Sequence, residues 1–158
     1  MADEIERKFL VRSDGWKASA RRSRQIVQGY LAFVGPASLR VRIIDGARAM
    51  LTIKSRKAEV RRSEFEYEIP LADAGALLEM RTGAIIEKVR YELECGPLNW
   101  EIDVFSGENE GLVIAEIELT HEDQAFERPP WVGEEITSDD RYYNASLAKH
   151  PFGRLTST

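Results

Sequence analysis

The sequence predicts a single, mainly β domain, folded as an antiparallel barrel or sandwich. Apolar and polar residues alternate with a period of two through eight segments, which is typical of strands with one buried face. Turn residues such as Asp45-Gly46 and Gly96-Pro97 separate these segments. The length of 158 residues fits one domain, and 43% hydrophobic residues are enough for its core.

The eight alternating segments are predicted to be strands. Their ranges are residues 4–9, 24–33, 39–44, 49–54, 64–69, 85–94, 100–105 and 112–119. Asp45-Gly46 predicts a tight hairpin between the third and fourth strands, because such turns need residues that tolerate positive φ. Gly35-Pro36 provides the turn before the third strand.

Short helices are expected at four places where the alternation stops. The predicted helices are residues 14–20, residues 73–81, a helix that starts at residue 120, and residues 140–149. Pro129-Pro130 must end the third of these, because proline cannot continue a helix. Gly83 lies where the C-terminal cap of the second helix is expected.

One face of nearly every predicted strand is ionic, because alternate residues of a strand share a face. The rows are Glu4, Glu6 and Lys8; Arg40 and Arg42; Thr52 and Lys54; Arg62, Glu64, Glu66 and Glu68; Lys88 and Arg90; Glu101 and Asp103; and Glu116 and Glu118. A solvated sheet face explains any single row. The rows are sorted by sign, however, and like charges on one face repel unless a counterion lies between them.

This sorting by sign indicates that the counterions are ligands: a divalent metal on the acidic rows and a phosphate chain on the basic rows. The ionic face holds seven bases and eight principal acids. Such near-neutrality is what a buried polar interior requires, because unpaired buried charge is prohibitively costly. The apolar faces of the strands are then expected to point outward, under the helices.

The overall charge excludes some classes of partner. A net charge of −5 argues against a general nucleic-acid binder, which needs a basic surface. No apolar run approaches the length of a membrane span.

The cysteine content and the N-terminus bear on the cellular compartment. The one cysteine, Cys95, cannot form an internal disulfide, and the first ten residues are charged where a signal peptide is apolar. The sequence therefore predicts a cytoplasmic protein.

The segment Glu4-Ile5-Glu6-Arg7-Lys8 resembles the N-terminal Glu-x-Glu-x-Lys signature of the CYTH superfamily, the triphosphate tunnel metalloenzymes. The ionic rows that follow are similar to the pattern of that family over nearly the whole chain. The short length resembles the bacterial members that hydrolyse inorganic triphosphate. This resemblance implies one CYTH domain over residues 1–158, built as an eight-stranded antiparallel β-barrel around a polar tunnel, with a few short covering helices.

The function that the resemblance implies is metal-dependent hydrolysis of inorganic triphosphate to pyrophosphate and phosphate inside the tunnel, with Mg²⁺ or Mn²⁺ as cofactor. A nucleoside or thiamine triphosphatase and a class IV adenylate cyclase are alternatives within the family. A non-catalytic polyphosphate- or nucleotide-binding module is the alternative from another class. It needs the same cations but gains nothing from the acidic pairs. A homodimer is also expected, and neither nucleic acid nor a membrane is an expected partner.

The resemblance also assigns roles to residues. The implied metal ligands are Glu4, Glu6, Glu64, Asp103, Glu116 and Glu118. The implied phosphate-binding residues are Lys8, Arg40, Arg42, Lys54, Arg62, Arg90 and Arg141, with Lys88 beside them. The last helix, residues 140–149, resembles the element that closes one end of the tunnel.

Two routes for activating the attacking water stay open. In the first route, the metal lowers the pKa of the water and Glu6 or Glu118 accepts its proton. In the second route, Lys88 is kept neutral by its cationic neighbours and acts as the base, oriented by Tyr30. The predicted catalytic residues are therefore Lys88, Tyr30 and Glu6.

Overall fold

The fold is described by a computed structural model that covers residues 3–55, 61–94 and 96–155. The strands are β1 (Asp3–Val11), β2 (Ala20–Val34), β3 (Ala37–Ile44), β4 (Arg48–Ser55), β5 (Arg61–Ile69), β6 (Thr82–Leu93), β7 (Trp100–Ser106), β8 (Val113–Glu118) and β9 (Val132–Glu135). The helices are α1 (Leu71–Leu78), α2 (Asn144–Lys149) and α3 (Phe152–Leu155), with short 3-10 helices at Asp14–Ser19, Gly107–Asn109 and Asp140–Tyr142. None of the described helices has the length and apolar character that crossing a membrane requires.

The strands form one antiparallel, barrel-like sheet, which confirms the predicted fold class. Their order is β5-β4-β3-β2-β6-β7-β8-β1-β9. The first residues of β1 also pair with β5, in the register Asp3↔Ser63, Glu4↔Arg62 and Ile5↔Arg61. This additional pairing brings β5, at one end of the order, back to β1 near the other end, so that strands β1 to β8 enclose an interior.

The strand β9 was not predicted, and the helix predicted from residue 120 is wrong. Residues 120–131 form turns and irregular chain instead, and the Gln124 side chain accepts hydrogen bonds from the Thr120 N–H and hydroxyl. The irregular chain leads directly into β9, which pairs with the second half of β1. A strand of four residues after two prolines has too little alternation to be recognised in the sequence.

Two other helix predictions need correction. The predicted cap Gly83 lies inside β6 with φ +80, where a Cβ would come 2.6 Å from the carbonyl oxygen of Ala148 in α2. Glycine is required there because the helix passes so close to the strand. The predicted helix 140–149 is divided at Tyr143, whose backbone is extended (φ −68, ψ 140) and whose hydroxyl donates to the carbonyl of Thr137.

The hydrophobic core lies outside the barrel, as the alternation predicts. Phe9, Trp16, Trp100 and Trp131 are each less than 5% exposed and belong to one cluster. The 3-10 helix at 14–19 and the chain at 120–131 cover this cluster, and burial of each such side chain contributes about 1.5–3 kcal/mol. The interior of the barrel is consequently left to the polar faces of the strands.

Candidate active site

A cavity of about 200 Å³ lies inside the barrel. Its described lining is charged except for one amide: Glu4, Glu6, Lys8, Arg40, Arg42, Lys54, Glu64, Glu66, Lys88, Arg90, Glu101, Glu116, Glu118 and Asn144. Eleven of the fifteen residues assigned from the sequence line this cavity (Glu4, Glu6, Lys8, Arg40, Arg42, Lys54, Glu64, Lys88, Arg90, Glu116 and Glu118). The structure therefore brings together most of the predicted site.

Strand register explains why opposite charges meet inside the barrel. Lys8 of β1 lies opposite Glu116 of β8, and Lys54 of β4 lies opposite Glu64 of β5. Directly opposed residues of paired strands point to the same face, so each of these two lysines has an acidic neighbour. Lys8 and Glu116 are buried, with 5% and 7% of their surface exposed, which a lone charge could not tolerate.

Two lysines bridge the acidic residues at the start of β1. Lys54 Nζ lies 2.6 Å from Glu4 Oε1 and 3.8 Å from Glu6 Oε1. Lys8 Nζ lies 3.7 Å from Glu6 Oε1 and 3.4 Å from Glu116 Oε1. These lysines serve as counterions of the acidic residues. If a triphosphate bound together with a metal ion, the metal ion could replace the lysines beside the carboxylates, and the phosphate oxygens could pair with the lysines.

The carboxylates at this end of the cavity repel one another. Burial, together with a hydrogen bond between the two carboxyl groups of Glu4 and Glu64, raises the pKa of Glu4 above its ordinary value. Burial, followed by the charges of Glu4 and Glu6, raises the pKa of Glu118. Burial would also raise the pKa of Glu116, but Lys8 and Arg90 outweigh it and hold that pKa below its ordinary value.

This acidic group fits a hard divalent cation by its chemistry. Its ligands would be carboxylate oxygens, which Mg²⁺ and Mn²⁺ prefer, and a cation would relieve the repulsion that raises the pKa of Glu4 and Glu118. Among residues 3–55, 61–94 and 96–155, no three acidic groups converge on one point as the side chains stand. Lys54 and Lys8 lie between the carboxylates of Glu4, Glu6 and Glu116 in this arrangement.

Three arginines that line the cavity, Arg40, Arg42 and Arg90, could bind an anion. Arg40 is 6% exposed, and its Nε has no hydrogen-bond partner in the part of the chain that is described. An unsatisfied buried N–H costs about 1–3 kcal/mol, which an incoming phosphate oxygen would recover. Burial, and then the charges of Arg40 and Arg90, lower the pKa of Arg42 to about 9. Arg40, Arg42 and Arg90 therefore lie close enough to repel one another, and a bound anion would relieve that repulsion.

Lys88 is buried at the centre of the site and is held by Asp103. Its Nζ donates to Asp103 Oδ2 at 2.8 Å, and both side chains are 1% exposed. Burial, with the nearby charges of Arg90 and Arg42, lowers the pKa of Lys88 to about 7, although Asp103 opposes this. Asp103 also accepts bonds of 2.7 and 2.9 Å from Arg90. Both of its oxygens are thus engaged, and Asp103 does not line the cavity.

A chain of amides that the sequence assignment missed holds Lys88 from the other side. Lys88 Nζ also donates to Asn144 Oδ1 at 3.0 Å, and Gln28 Nε2 donates to the same oxygen at 2.9 Å. Gln28 Oε1 in turn accepts from Arg42 Nε at 2.7 Å. Neither amide carries a charge, so the sorting by sign could not reveal them. The available signal was Gln28 as the one polar side chain in the otherwise apolar run of residues 26–31.

Besides Asp103, three assigned residues lie apart from this cavity or outside the description. Tyr30 is 3% exposed, stacks on Phe33 and lines a smaller, adjoining cavity of about 40 Å³. Arg141 lies on the surface and donates to Asp139 at 3.0 and 2.7 Å. Arg62 lies in β5 opposite Glu4, and its side chain is outside the described residues.

Comparisons with known proteins agree with the family resemblance. A family model described as the CYTH domain matches residues 2–150. An inorganic triphosphatase of Acetivibrio thermocellus is 44% identical over 153 residues, which cover 96% of this chain and 97% of that protein. An inorganic triphosphatase of Nitrosomonas europaea is 39% identical over 150 residues, covering 92% and 96%. A crystal structure of an inorganic triphosphatase is 35% identical, with a TM-score of 0.68 and coverage of 92% and 97%.

Proposed function

Because the chain belongs to the CYTH domain family, we propose that it is an enzyme that hydrolyses inorganic triphosphate to pyrophosphate and phosphate inside the barrel. The observation that carries this proposal is the cavity of about 200 Å³, in which buried cations and buried carboxylates face one another. Two relatives at 44% and 39% identity that bear the name inorganic triphosphatase support the choice of substrate.

The cations of the cavity would bind the phosphate chain. Arg40 offers its unpartnered Nε, and Arg42 and Arg90 lie beside it. Guanidinium groups bind phosphate oxygens through two parallel hydrogen bonds, whereas Lys8 and Lys54 would act as point charges. Phosphoryl transfer depends mainly on such positioning and charge stabilisation. We keep Arg62 and Arg141 as predicted phosphate-binding residues of lower rank, because the first lacks a described side chain and the second pairs with Asp139.

The acidic residues would hold the divalent cation that is typical of this family. We propose Glu4, Glu6, Glu116 and Glu118 as its ligands, with Glu64 as a further candidate, and Mg²⁺ or Mn²⁺ as the ion. When bound, the ion supplies positive charge to the phosphate oxygens. We assign Asp103 to holding Lys88 and Arg90 rather than to the metal, because its two oxygens already accept hydrogen bonds from them.

Lys88 is the base that we propose for the attacking water. With a pKa lowered to about 7, a large part of its amine is neutral near neutral pH and can accept a proton. The water oxygen forms a bond to the terminal phosphorus while the bridging P–O bond breaks and pyrophosphate leaves. The proton of the water passes to Lys88 Nζ, where Asp103 stabilises the resulting ammonium. The alternative proton acceptor is Glu6, which Lys8 and Lys54 contact.

A substrate panel tests this proposal against its alternatives. The purified protein is incubated with inorganic triphosphate, ATP or thiamine triphosphate, each with Mg²⁺ or Mn²⁺, and phosphate, pyrophosphate and cyclic AMP are measured. We expect phosphate and pyrophosphate in equal amounts from inorganic triphosphate, at a higher kcat/KM than from the other substrates. Cyclic AMP from ATP would instead identify a cyclase. Tight binding of triphosphate with no product would identify a binding module.

Other predictions about the protein are carried forward as proposals. We propose that residues 1–158 form a single domain, that the protein works in the cytoplasm, and that it forms a homodimer without a nucleic-acid or membrane partner. The acidic net charge of −5 supports the exclusion of nucleic acid. Tyr30 stays a predicted orienting residue. Among the described residues, Lys88 Nζ donates hydrogen bonds to Asp103 and Asn144.

A further inference from the structure

Four residues form the junction between the two cavities inside the barrel. Lys8, Arg40, Lys54 and Asn144 each line both the cavity of about 200 Å³ and the adjoining cavity of about 40 Å³. Three of them are cations, and Arg40 Nε is buried without a hydrogen-bond partner among the described residues. Asn144 is the uncharged member. Its amide carries an acceptor oxygen and a donor nitrogen, so the orientation of the amide decides what it offers to a ligand.

The network behind Asn144 fixes the orientation of this amide. Arg42 Nε can only donate, so the Gln28 atom that it contacts at 2.7 Å must be the amide oxygen. Gln28 therefore turns its NH₂ group toward Asn144, and the Asn144 atom that receives it at 2.9 Å must be the oxygen. Lys88 Nζ donates to the same oxygen at 3.0 Å. A flipped amide would place the NH₂ group of Asn144 against both of these donors.

The NH₂ group of Asn144 is left for a ligand. Within residues 3–55, 61–94 and 96–155, Asn144 takes part in hydrogen bonds only through its oxygen. The NH₂ group is therefore the polar part of this side chain that a molecule in the junction can use. Arg40 Nε is a second N–H group at the junction without a partner in the described chain. Because polar groups inside proteins are normally hydrogen-bonded, these two donors indicate a ligand with acceptor oxygens.

The element that carries Asn144 is firmly anchored. Asn144 is the first residue of α2, in which Leu147 is fully buried and Ala148 is 2% exposed. Ala148 packs against Gly83 of β6 so closely that a Cβ on the glycine would meet its carbonyl at 2.6 Å. Just before the helix, the hydroxyl of Tyr143 donates to the carbonyl of Thr137 at 2.9 Å. A donor that is held in place before the ligand arrives costs little ordering on binding.

We propose that the NH₂ group of Asn144 binds a non-bridging oxygen of the phosphate chain at this junction, beside Arg40. This inference rests on the proposed function, in which triphosphate occupies the cavity. An amide suits this position because it adds N–H donors without adding charge to a junction that already holds three cations. A fourth buried cation would need a further carboxylate to balance it. The helix α2 thereby contributes directly to substrate binding.

The test measures the binding of inorganic triphosphate to the full chain by titration calorimetry in EDTA, which prevents metal-dependent hydrolysis. Asn144→Leu removes the amide at similar volume. Asn144→Asp keeps the oxygen that Gln28 and Lys88 hold, but replaces the NH₂ group with a second oxygen. Asn99→Leu is the matched control, at an exposed asparagine that lines neither cavity.

The expected changes follow from the loss of one donor. A hydrogen bond to a charged group contributes roughly 10- to 150-fold in binding, so Kd for triphosphate should rise by this factor in Asn144→Leu. Kd should rise at least as much in Asn144→Asp, because its carboxylate repels the phosphate. Asn99→Leu should match the wild type. If triphosphate binds only with the metal, KM for its hydrolysis replaces Kd under the same criteria.

Binding and Mg²⁺-dependent hydrolysis by the wild type are measured first. A wild type that neither binds nor hydrolyses triphosphate would reject the proposed function, and this inference with it. Binding without hydrolysis would reject the enzymatic function alone. With binding established, an unchanged Kd in Asn144→Leu would overturn the role of Asn144. A wild-type Kd in Asn144→Asp would also overturn it, because only the oxygen would then matter. Thermal unfolding checks that each variant is folded, and Asn144→Ala replaces an unfolded Asn144→Leu.

Discussion

Lys88 Nζ lies 2.8 Å from Asp103 Oδ2 in a pair that is almost completely shielded from water. Asp103 also receives a bidentate bond from Arg90, so one carboxylate balances two cations. Burial would raise the pKa of Asp103, but Arg90 and Lys88 outweigh it and hold that pKa below its ordinary value. Asp103 therefore remains ionised and fixes both cations in place. Asp103 opposes the loss of a proton by Lys88, but burial and the charges of Arg90 and Arg42 outweigh it and lower the pKa of Lys88 to about 7.

The first prediction concerns the pH dependence of the rate. Burial, with Arg90 and Arg42 nearby, lowers the pKa of Lys88 to about 7. Its neutral form is the base, so kcat should rise about tenfold per pH unit below that value and level off above it. The measurement is kcat for inorganic triphosphate from pH 5.5 to 9 at saturating substrate and metal. A kcat that is constant below pH 7 would contradict the role of Lys88.

The second prediction concerns anion binding at Arg40. Arg40→Met keeps the bulk of the side chain but removes the guanidinium whose Nε is unpartnered among the described residues. A hydrogen bond to a charged group contributes about 1.5–3 kcal/mol, which is roughly 10- to 150-fold in binding. We expect KM for inorganic triphosphate to rise by this factor. Arg48→Met, at an arginine whose side chain is 61% exposed, is the control. Equal KM values in both variants would contradict the role of Arg40 in binding triphosphate.

The third prediction links metal binding to stability through Glu118. Glu118 is solvent-exposed, but partial desolvation and the charges of Glu4 and Glu6 still raise its pKa, which means that its ionised form destabilises the fold slightly at neutral pH. Glu118→Gln should therefore raise the melting temperature of the metal-free protein while it raises the Mg²⁺ concentration needed for half-maximal activity. Glu79→Gln, at an exposed residue after α1, should change neither quantity. An unchanged requirement for Mg²⁺ would remove Glu118 from the ligands.

The fourth prediction concerns the contact that fixes α2. Gly83→Ala forces a side chain onto a backbone with φ +80 and against the carbonyl of Ala148. Strain of this kind costs on the order of 1–3 kcal/mol. We expect a lower melting temperature and a higher KM for inorganic triphosphate, because displacement of α2 also moves Asn144. The matched control is Gly75→Ala in α1, where a Cβ has open space and should stabilise the helix slightly. Equal stability of the two variants would contradict the close approach.

The strands and the ionic interior could be predicted because both follow a period of two. Once the alternation is recognised, Lys8 and Glu116 must share the face that Arg40 and Arg42 also occupy. The sorting by sign then distinguished an interior face from a solvated one. The closeness of these residues follows from antiparallel register, which the sequence pattern largely determines.

The parts that could not be predicted depend on long-range docking. Asn144 reaches Lys88 only because α2 packs on β6, and no pattern in residues 140–149 reveals that contact. Asp103 was grouped with the metal ligands because its row is acidic, although Lys88 and Arg90 engage both of its oxygens. The turn closed by Gln124 was mistaken for a helix, because side-chain capping of a turn has no periodic signature.

The most direct test follows the reaction of inorganic triphosphate by ³¹P NMR, with Mg²⁺, for the wild type and for Lys88→Ala. Lys17→Ala, at an exposed lysine, is the control. We predict that the wild type and the control convert triphosphate to one pyrophosphate and one phosphate, and that Lys88→Ala is slower by about 10²- to 10⁴-fold, the usual contribution of a general base. A Lys88→Ala protein that turns over at the wild-type rate, or a wild type that leaves triphosphate intact, would contradict the account.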